Sequence, residues 1–304
     1  MKKTISLFFA SVVLFSSIAT QSHAGIKIFS CEPEWSALAT ELGATAADVY
    51  TATHGLQDPH HIQARPSLIA RVRNADLVIC TGAELEVGWL PLLLQQSGNP
   101  KIQVGQTGYF MATDFVKKLE VPKRVDRSMG DIHAEGNPHI QLDPRLIATV
   151  ALALSQRMQQ IDPFQREHYA NSYKQFSERW QQAIQRWNQL AAPLKGVPVV
   201  SQHNGFVYLY DWLGIQEIAV LEPQHGVDPS VSHLQKILND LKQKPARMVI
   251  YAAYQDPRAS QWLNKNAGLP AVQLPFTVGG STSANNLYSL MDDTLAKLLK
   301  ANNP

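Results

Sequence analysis

The sequence predicts an α/β fold with two lobes, each a four-stranded, parallel-type sheet flanked by helices, joined by one long backbone helix. Two observations predict it. Short apolar runs alternate with helical patterns in both halves of the chain, which is typical of parallel sheets covered on both faces. A long segment of helical periodicity separates the halves. We therefore divide the chain into residues 1–24, a first lobe of residues 25–155, a linking helix of residues 156–195 and a second lobe of residues 196–304.

Each half contains four candidate strands. In the first half they are Ile26 to Cys31, Ala47 to Ala52, Asp76 to Cys80 and Lys101 to Val104. In the second half they are Val197 to Ser201, Glu217 to Leu221, Arg247 to Ala252 and Ala271 to Leu274. Helical patterns between them include Glu34 to Leu42, Pro66 to Asn74, Gly205 to Leu213, Ser232 to Gln243 and Pro257 to Ala267.

The linking helix is predicted from Asp162 to Ala192. Its larger apolar residues are spaced by three or four positions, as on one face of a helix: Tyr169, Tyr173, Phe176, Trp180, Ile184, Trp187 and Leu190. Asp162 followed by Pro163 resembles an N-cap with proline at the first helical position. A helix of about 28 residues would be ~42 Å long. Two shorter helices with a bend are the alternative.

The N-terminus has the pattern of a secretory signal peptide. Lys2 and Lys3 precede an apolar stretch from Ile5 to Ala19, and small residues surround a cleavage site expected after Ala24. The apolar stretch is short and rich in serine for a membrane span, which needs roughly 20 residues. We therefore expect a periplasmic protein.

Composition excludes one class of partner and leaves the state of the cysteines open. The net charge is +2 and the basic residues are scattered, so no nucleic-acid partner is expected. The chain has two cysteines, Cys31 and Cys80, each at the end of a predicted strand. In an oxidising compartment they form either a disulfide or two buried thiols, and the sequence does not decide between them.

Three histidines are the candidate metal ligands. His60 and His139 each follow a proline, which fixes the backbone before the side chain, and His203 follows a predicted strand. Ligands in open parallel sheets bind beyond the carboxyl ends of strands. Three imidazoles suit Zn²⁺, whereas Mn²⁺ is expected to use more carboxylate oxygen. Spacing is weak evidence here, because no short-range rule links the three positions.

The chain carries an ordered series of short motifs. They are Asp58-Pro59-His60, Arg65-Pro66-Ser67, Asn74-Ala75-Asp76-Leu77-Val78, Gly82-Ala83-Glu84-Leu85-Glu86, Gly130-Asp131-Ile132-His133, Gly136-Asn137-Pro138-His139, Leu142-Asp143-Pro144, His203-Asn204-Gly205-Phe206 and Leu213-Gly214-Ile215. Together they resemble the motifs of the metal-specific solute-binding proteins of bacterial ABC importers, in particular the zinc-binding group. The resemblance covers essentially the whole chain after Ala24. It implies two four-stranded lobes joined by a long helix, with Zn²⁺ held in the cleft by His60, His139 and His203, since a histidine at the third position goes with zinc.

One feature departs from that family. Many relatives supply an aspartate as a fourth ligand from a loop of the second lobe, but the matching segment from Leu274 to Ser283 has no carboxylate. The fourth position is left to water or to another group, with His61 disfavoured and with Glu222, His225 and Asp228 as possible neighbours of the ligands. His133 and Glu135 stand where zinc-binding relatives often carry a histidine-rich loop. This segment is either a short mobile loop that passes metal inward or an exposed polar loop.

The expected function is capture of zinc in the periplasm and its delivery to an ABC permease in the inner membrane. A periplasmic metallochaperone is a second candidate partner, and we expect a monomer and no enzymatic activity. The alternatives are the same carrier role for manganese or iron, a zinc-dependent enzyme, and an adhesion or scaffold protein with a structural metal.

Overall fold

A computed structural model describes residues 25–124 and 133–303. The predicted signal peptide of residues 1–24 and the Gly130-Asp131-Ile132 part of the second ligand motif lie outside the described residues. Two four-stranded parallel sheets are present, with strand orders β2-β1-β3-β4 and β6-β5-β7-β8. The predicted fold is therefore confirmed.

The elements of the first lobe alternate strand and helix. In chain order they are β1 (Ile26–Ser30), α1 (Pro33–Gly43), β2 (Ala47–Thr51), α2 (Pro66–Arg73), β3 (Leu77–Cys80), α3 (Leu90–Ser97), β4 (Tyr109–Met111) and α4 (Pro144–Ile161). Then come the linking helix α5 (Arg166–Leu190) and the second lobe, which contains β5 (Pro198–Ser201), α6 (Val207–Leu213), β6 (Gln216–Val220), α7 (Val231–Asp240), β7 (Met248–Ala252), α8 (Arg258–Ala267), β8 (Ala271–Leu274) and α9 (Leu287–Asn302).

The predicted strand from Lys101 to Val104 is wrong. Pro100–Ile102 form a 3-10 turn, because the Asn99 side chain accepts a hydrogen bond from the Lys101 N–H at 3.0 Å. The fourth strand of the sheet is Tyr109–Met111, which pairs with β3. Its short apolar run follows a turn region containing two glycines, and the strand pattern of the sequence is correspondingly weak there.

The long helix is present, but its start differs from the prediction. Asp162 does not cap it: α4 ends at Ile161, a 3-10 turn follows at Pro163–Gln165, and α5 begins at Arg166. The Asp162 carboxylate instead accepts a hydrogen bond from the Tyr169 hydroxyl at 3.0 Å. At 1.5 Å per residue, α5 is about 37 Å long.

The linking helix packs against both lobes through its aromatic face. Tyr169, Phe176, Trp180 and Trp187 are buried, whereas Leu190, the last residue of the predicted apolar face, is 50% exposed. The Tyr169 hydroxyl also lies 3.0 Å from the Ala46 carbonyl in the first lobe, so its one proton is shared between this carbonyl and the Asp162 carboxylate. The Trp187 indole donates a hydrogen bond to Asp292 on α9 in the second lobe. One continuous apolar core includes residues of both lobes and this helix.

A disulfide joins the C-terminal ends of β1 and β3. Cys31 and Cys80 are bonded, with Cα atoms 4.8 Å apart. The register explains the pairing, because Ser30 lies opposite Ile79 on adjacent parallel strands, so that the next residue on each strand is Cys31 or Cys80. The disulfide alternative of the sequence prediction is confirmed.

Candidate metal centre

A cavity between the lobes holds two of the three predicted ligands in its wall. Its volume is about 280 Å³, and residues of both lobes line it, including Asp58, His60, His61, Gln202, His203 and Glu222. The surrounding loops follow strands of the two sheets, as expected for ligand sites in parallel α/β folds.

His60 is held by the turn that precedes it. The Asp58 carboxylate accepts hydrogen bonds from the His60 backbone N–H at 3.0 Å and from its ring Nδ1 at 2.7 Å. The Trp89 indole donates to the Pro59 carbonyl at 2.9 Å. A carboxylate on Nδ1 fixes the ring orientation and leaves Nε2 free to bind a metal ion.

His203 is held in the same way in the second lobe. It lies two residues beyond the end of β5, and its Nδ1 is 2.7 Å from the Glu222 carboxylate. The Glu222 carboxylate also accepts a hydrogen bond from the Gly226 N–H at 3.1 Å. Nε2 of His203 is buried and has no hydrogen-bond partner among the described residues. Buried polar atoms are normally paired, so this nitrogen is a candidate metal donor.

His139 is the most buried of the three, at 2% exposure. Its backbone N–H donates to the Asn137 side-chain oxygen at 3.1 Å, and its Nδ1 has no partner among the described residues. The Asn137 amide also donates to the Asn204 carbonyl at 2.9 Å. Asn137 therefore connects the segment carrying His139 to the one carrying His203.

The structure brings the three predicted ligands together. The His139 ring centroid lies 5.5 Å from that of His60 and 5.8 Å from that of His203, and His60 and His203 are 6.2 Å apart. His60, His133 and His139 form a group of possible ligand atoms that all lie within 4.8 Å of one another. His203 lies beside this group with its unpaired nitrogen buried.

The environment favours the neutral form of the His133 and His139 imidazoles. Burial, followed by the charges of His60 and other nearby histidines, lowers the pKa of His133 to about 3 and that of His139 well below its ordinary value. Burial opposes ionisation of Asp58, but its hydrogen bonds with His60 outweigh this effect, and its pKa is lower than usual. Neutral imidazoles and ionised orienting carboxylates are the protonation states that metal binding requires.

Three carboxyl groups of the first lobe, those of Glu32, Glu34 and Glu86, are buried. Burial raises the pKa of Glu34 and of Glu86 to about 7, and that of Glu32 well above its ordinary value. Glu34 accepts a hydrogen bond from Thr277 of the second lobe. A small cavity is lined by Glu32, Glu34 and His139.

Sequence reasoning missed three contributors to this site. It gave no orienting role to Asp58, although an Asp two residues before a histidine is a signal for a side-chain turn of this kind. It gave no role to Asn137. It treated His133 as part of a mobile or exposed loop, but His133 is 8% exposed and its Nε2 lies 3.2 Å from Nε2 of His60.

The other residues considered in the sequence take different places. Glu222 contacts a predicted ligand directly, and the His225 ring centroid is 5.5 Å from that of His203. Asp228 lines the cavity. The loop that lacks a carboxylate places Phe276 edge-on to His139, with ring centroids 5.2 Å apart. Among residues 25–124 and 133–303, no helix combines the length and apolar character needed to cross a bilayer.

Comparison with known proteins agrees with this architecture. A family described as zinc-uptake complex component A, periplasmic (ZnuA), matches residues 28–301. The high-affinity zinc uptake system protein ZnuA of Yersinia pestis is 24% identical over 200 residues, covering 62% of this chain and 63% of that protein. The manganese ABC transporter substrate-binding lipoprotein PsaA of Streptococcus pneumoniae is 22% identical over 257 residues, covering 81% of this chain and 79% of that one.

Solved structures share the fold. A crystal structure of ZnuA superposes with a TM-score of 0.76 at 19% identity, covering 92% of this chain and 100% of that one. The solute-binding protein FpvC of Pseudomonas aeruginosa, solved in complex with Mn²⁺, superposes with a TM-score of 0.75 at 19% identity, covering 91% of this chain and 98% of that one. The chain belongs to the family of periplasmic zinc-uptake components, the metal-binding parts of ABC importers, and is a transport component and not an enzyme.

Proposed function

We propose that this protein captures Zn²⁺ with high affinity and delivers it to an ABC permease in the inner membrane. The proposal depends on the position of three histidines, His60 and His139 in the first lobe and His203 in the second. Their ring centroids lie within 6.2 Å of one another. An ion bound by all three would join residues 25–155 to residues 196–304 across the linking segment of residues 156–195.

The donor chemistry favours zinc over manganese. Two carboxylates at the site, Asp58 and Glu222, are engaged with Nδ1 of His60 and His203, each at 2.7 Å. They orient these imidazoles, whose Nε2 nitrogens are the atoms left to bind a metal ion. Zn²⁺ binds imidazole nitrogen well, whereas Mn²⁺ is better served by carboxylate oxygen. The manganese relative in Streptococcus pneumoniae makes manganese the alternative cargo.

The location and partners are part of the same proposal. Export by the N-terminal 24 residues would place the chain in the periplasm as a monomer. There it would receive zinc directly or from a metallochaperone and pass it to the permease. Release would involve loop rearrangement, since the shared core and the linking helix hold the two lobes together.

Elemental analysis of protein purified from the periplasm without added metal tests the cargo. We expect about one zinc ion per chain and little manganese. The same protein, stripped of metal, is then titrated with Zn²⁺ against a chelator of known affinity, with and without a large excess of Mn²⁺. Manganese in the purified protein, or displacement of zinc by the excess, would contradict the proposal.

A further inference from the structure

His133 is buried against His60, inside the group of nitrogens described above. Its Nε2 lies 3.2 Å from Nε2 of His60, and its exposure is 8%. Two nitrogens bound to one tetrahedral zinc ion at ~2.0–2.1 Å lie about 3.3 Å apart. The observed separation fits one edge of such a tetrahedron.

The other hydrogen bonds of these two rings indicate that His60 and His133 do not form a hydrogen bond with each other. The Asp58 carboxylate can only accept, so Nδ1 of His60 donates to it and Nε2 carries a lone pair. The His133 ring hydrogen-bonds the Ala83 backbone. Because Nε2 of His133 faces His60, we assign the donated proton to Nδ1. Two lone pairs then face each other, and a cation between them removes the repulsion.

The backbone that receives His133 is unusual. Gly82, Ala83 and Glu84 follow one another with φ of 84°, 48° and 66°, and the last two are not glycine. Such conformations are unfavourable for residues with a Cβ and persist where the surroundings hold them, often at functional sites. The turn places the Glu84 carboxylate to accept a hydrogen bond from the Ala134 N–H. Ala134 is therefore anchored to the same turn that the His133 ring contacts.

The loop of the second lobe that faces this position offers no carboxylate. Its segment from Leu274 to Ser283 has no carboxylate, and the residue of this segment that meets His139 is Phe276, with ring centroids 5.2 Å apart. At that side His139 meets an aromatic ring, and no carboxylate of this loop is available for the fourth coordination position.

We propose that His133 is the fourth metal ligand, so that His60, His133, His139 and His203 form an all-nitrogen site that selects zinc against manganese. Glu84 is the positioning residue that anchors the segment carrying His133. This inference rests on the proposed function and goes beyond it by naming the residue that determines metal preference.

The test measures Zn²⁺ and Mn²⁺ affinity by chelator competition in the parent protein and in His133→Gln, with His168→Gln as the matched control. His168 lies on α5, where its ring contacts the Gly43 carbonyl at 2.9 Å, and it has no place in the site. Loss of an orienting partner alone weakens metal binding by about 10–100-fold. We expect His133→Gln to weaken zinc binding by at least about tenfold, to leave manganese binding nearly unchanged, and His168→Gln to change neither.

Nitrogen NMR of the histidine rings in the parent protein gives a readout that does not depend on any variant folding. Zinc addition should shift Nε2 of His133 as a directly bound nitrogen, and Glu84→Gln should weaken zinc binding while the His133 signal still responds. If the parent binds zinc tightly but the His133 ring does not respond, or if His133→Gln binds like the parent, the four-histidine site is wrong and the three-histidine carrier stands. If the parent does not bind zinc, the proposed function fails and this inference fails with it.

Discussion

The two lobes have the same sheet topology and the same device for orienting one histidine, yet they differ in the donors they present. Each lobe places a carboxylate 2.7 Å from Nδ1 of a histidine, Asp58 with His60 and Glu222 with His203. The repeated arrangement shows that the fold determines where a donor can stand, beyond the ends of parallel strands. It does not determine how many donors a lobe supplies.

The difference lies in the loops that surround these histidines. The first lobe adds His139 and His133, both buried, whereas the facing loop of the second lobe adds Phe276 and Thr277. This loop of the second lobe places the Phe276 ring against His139 of the first lobe. We infer that the first lobe supplies most of the binding energy and that the second lobe closes the site.

Removing one histidine from each lobe is the most direct way to break this comparison. We expect His139→Ala to weaken zinc binding by more than about 100-fold, exceeding the loss caused by removing an orienting partner. His203→Ala should cause a smaller loss, because the first-lobe nitrogens remain grouped within 4.8 Å. Both variants are measured by chelator competition, with His168→Gln as the control. A larger loss from His203→Ala would reverse the assignment of the dominant lobe.

Substitution of the two orienting carboxylates, Asp58 and Glu222, tests the comparison through a smaller loss of zinc affinity. Asp58→Asn and Glu222→Gln each replace a charged acceptor of an Nδ1 proton with a neutral amide, and each should weaken zinc binding by about 10–100-fold. Asp58 also accepts a hydrogen bond from the His60 backbone N–H, which the asparagine oxygen can retain. Competition titration of the two variants side by side checks this expectation. Losses that differ by more than about tenfold would show that the two lobes do not orient their histidines equivalently.

Much of the fold could be predicted from the sequence, because buried parallel strands and the aromatic face of α5 leave strong periodic patterns. The short strand Tyr109–Met111 could not, since three residues carry little pattern and tertiary pairing with β3 defines it. For the metal site, strand ends and family motifs indicated His60, His139 and His203 as candidate ligands. The contact between His133 and His60 depends on a left-handed turn 49 residues before His133 in the chain, and no local signal reports it.

The smallest expected effect concerns the contact between Glu34 of the first lobe and Thr277 of the covering loop. The pKa of Glu34 in the folded protein is about 7, above its ordinary value of 4.5, so the folded state binds a proton more tightly than the unfolded state. The stability that this protonation contributes is fully present below pH 4.5 and is lost as the pH rises through 7. Glu34→Gln keeps an acceptor for Thr277 and removes the titration. We expect metal-free Glu34→Gln to lose less stability than the parent between pH 5 and pH 8, by on the order of 1–2 kcal/mol in urea unfolding.

Burial lowers the pKa of His133 and His139, which acts in the opposite direction on stability, but both proteins share that contribution and it cancels in their difference. Glu178→Gln, at an exposed position on α5, is the matched control. Equal pH dependence in the parent and in Glu34→Gln would show that protonation of this carboxyl group is not linked to folding. The contact between Glu34 and Thr277 would then be insensitive to the charge of Glu34.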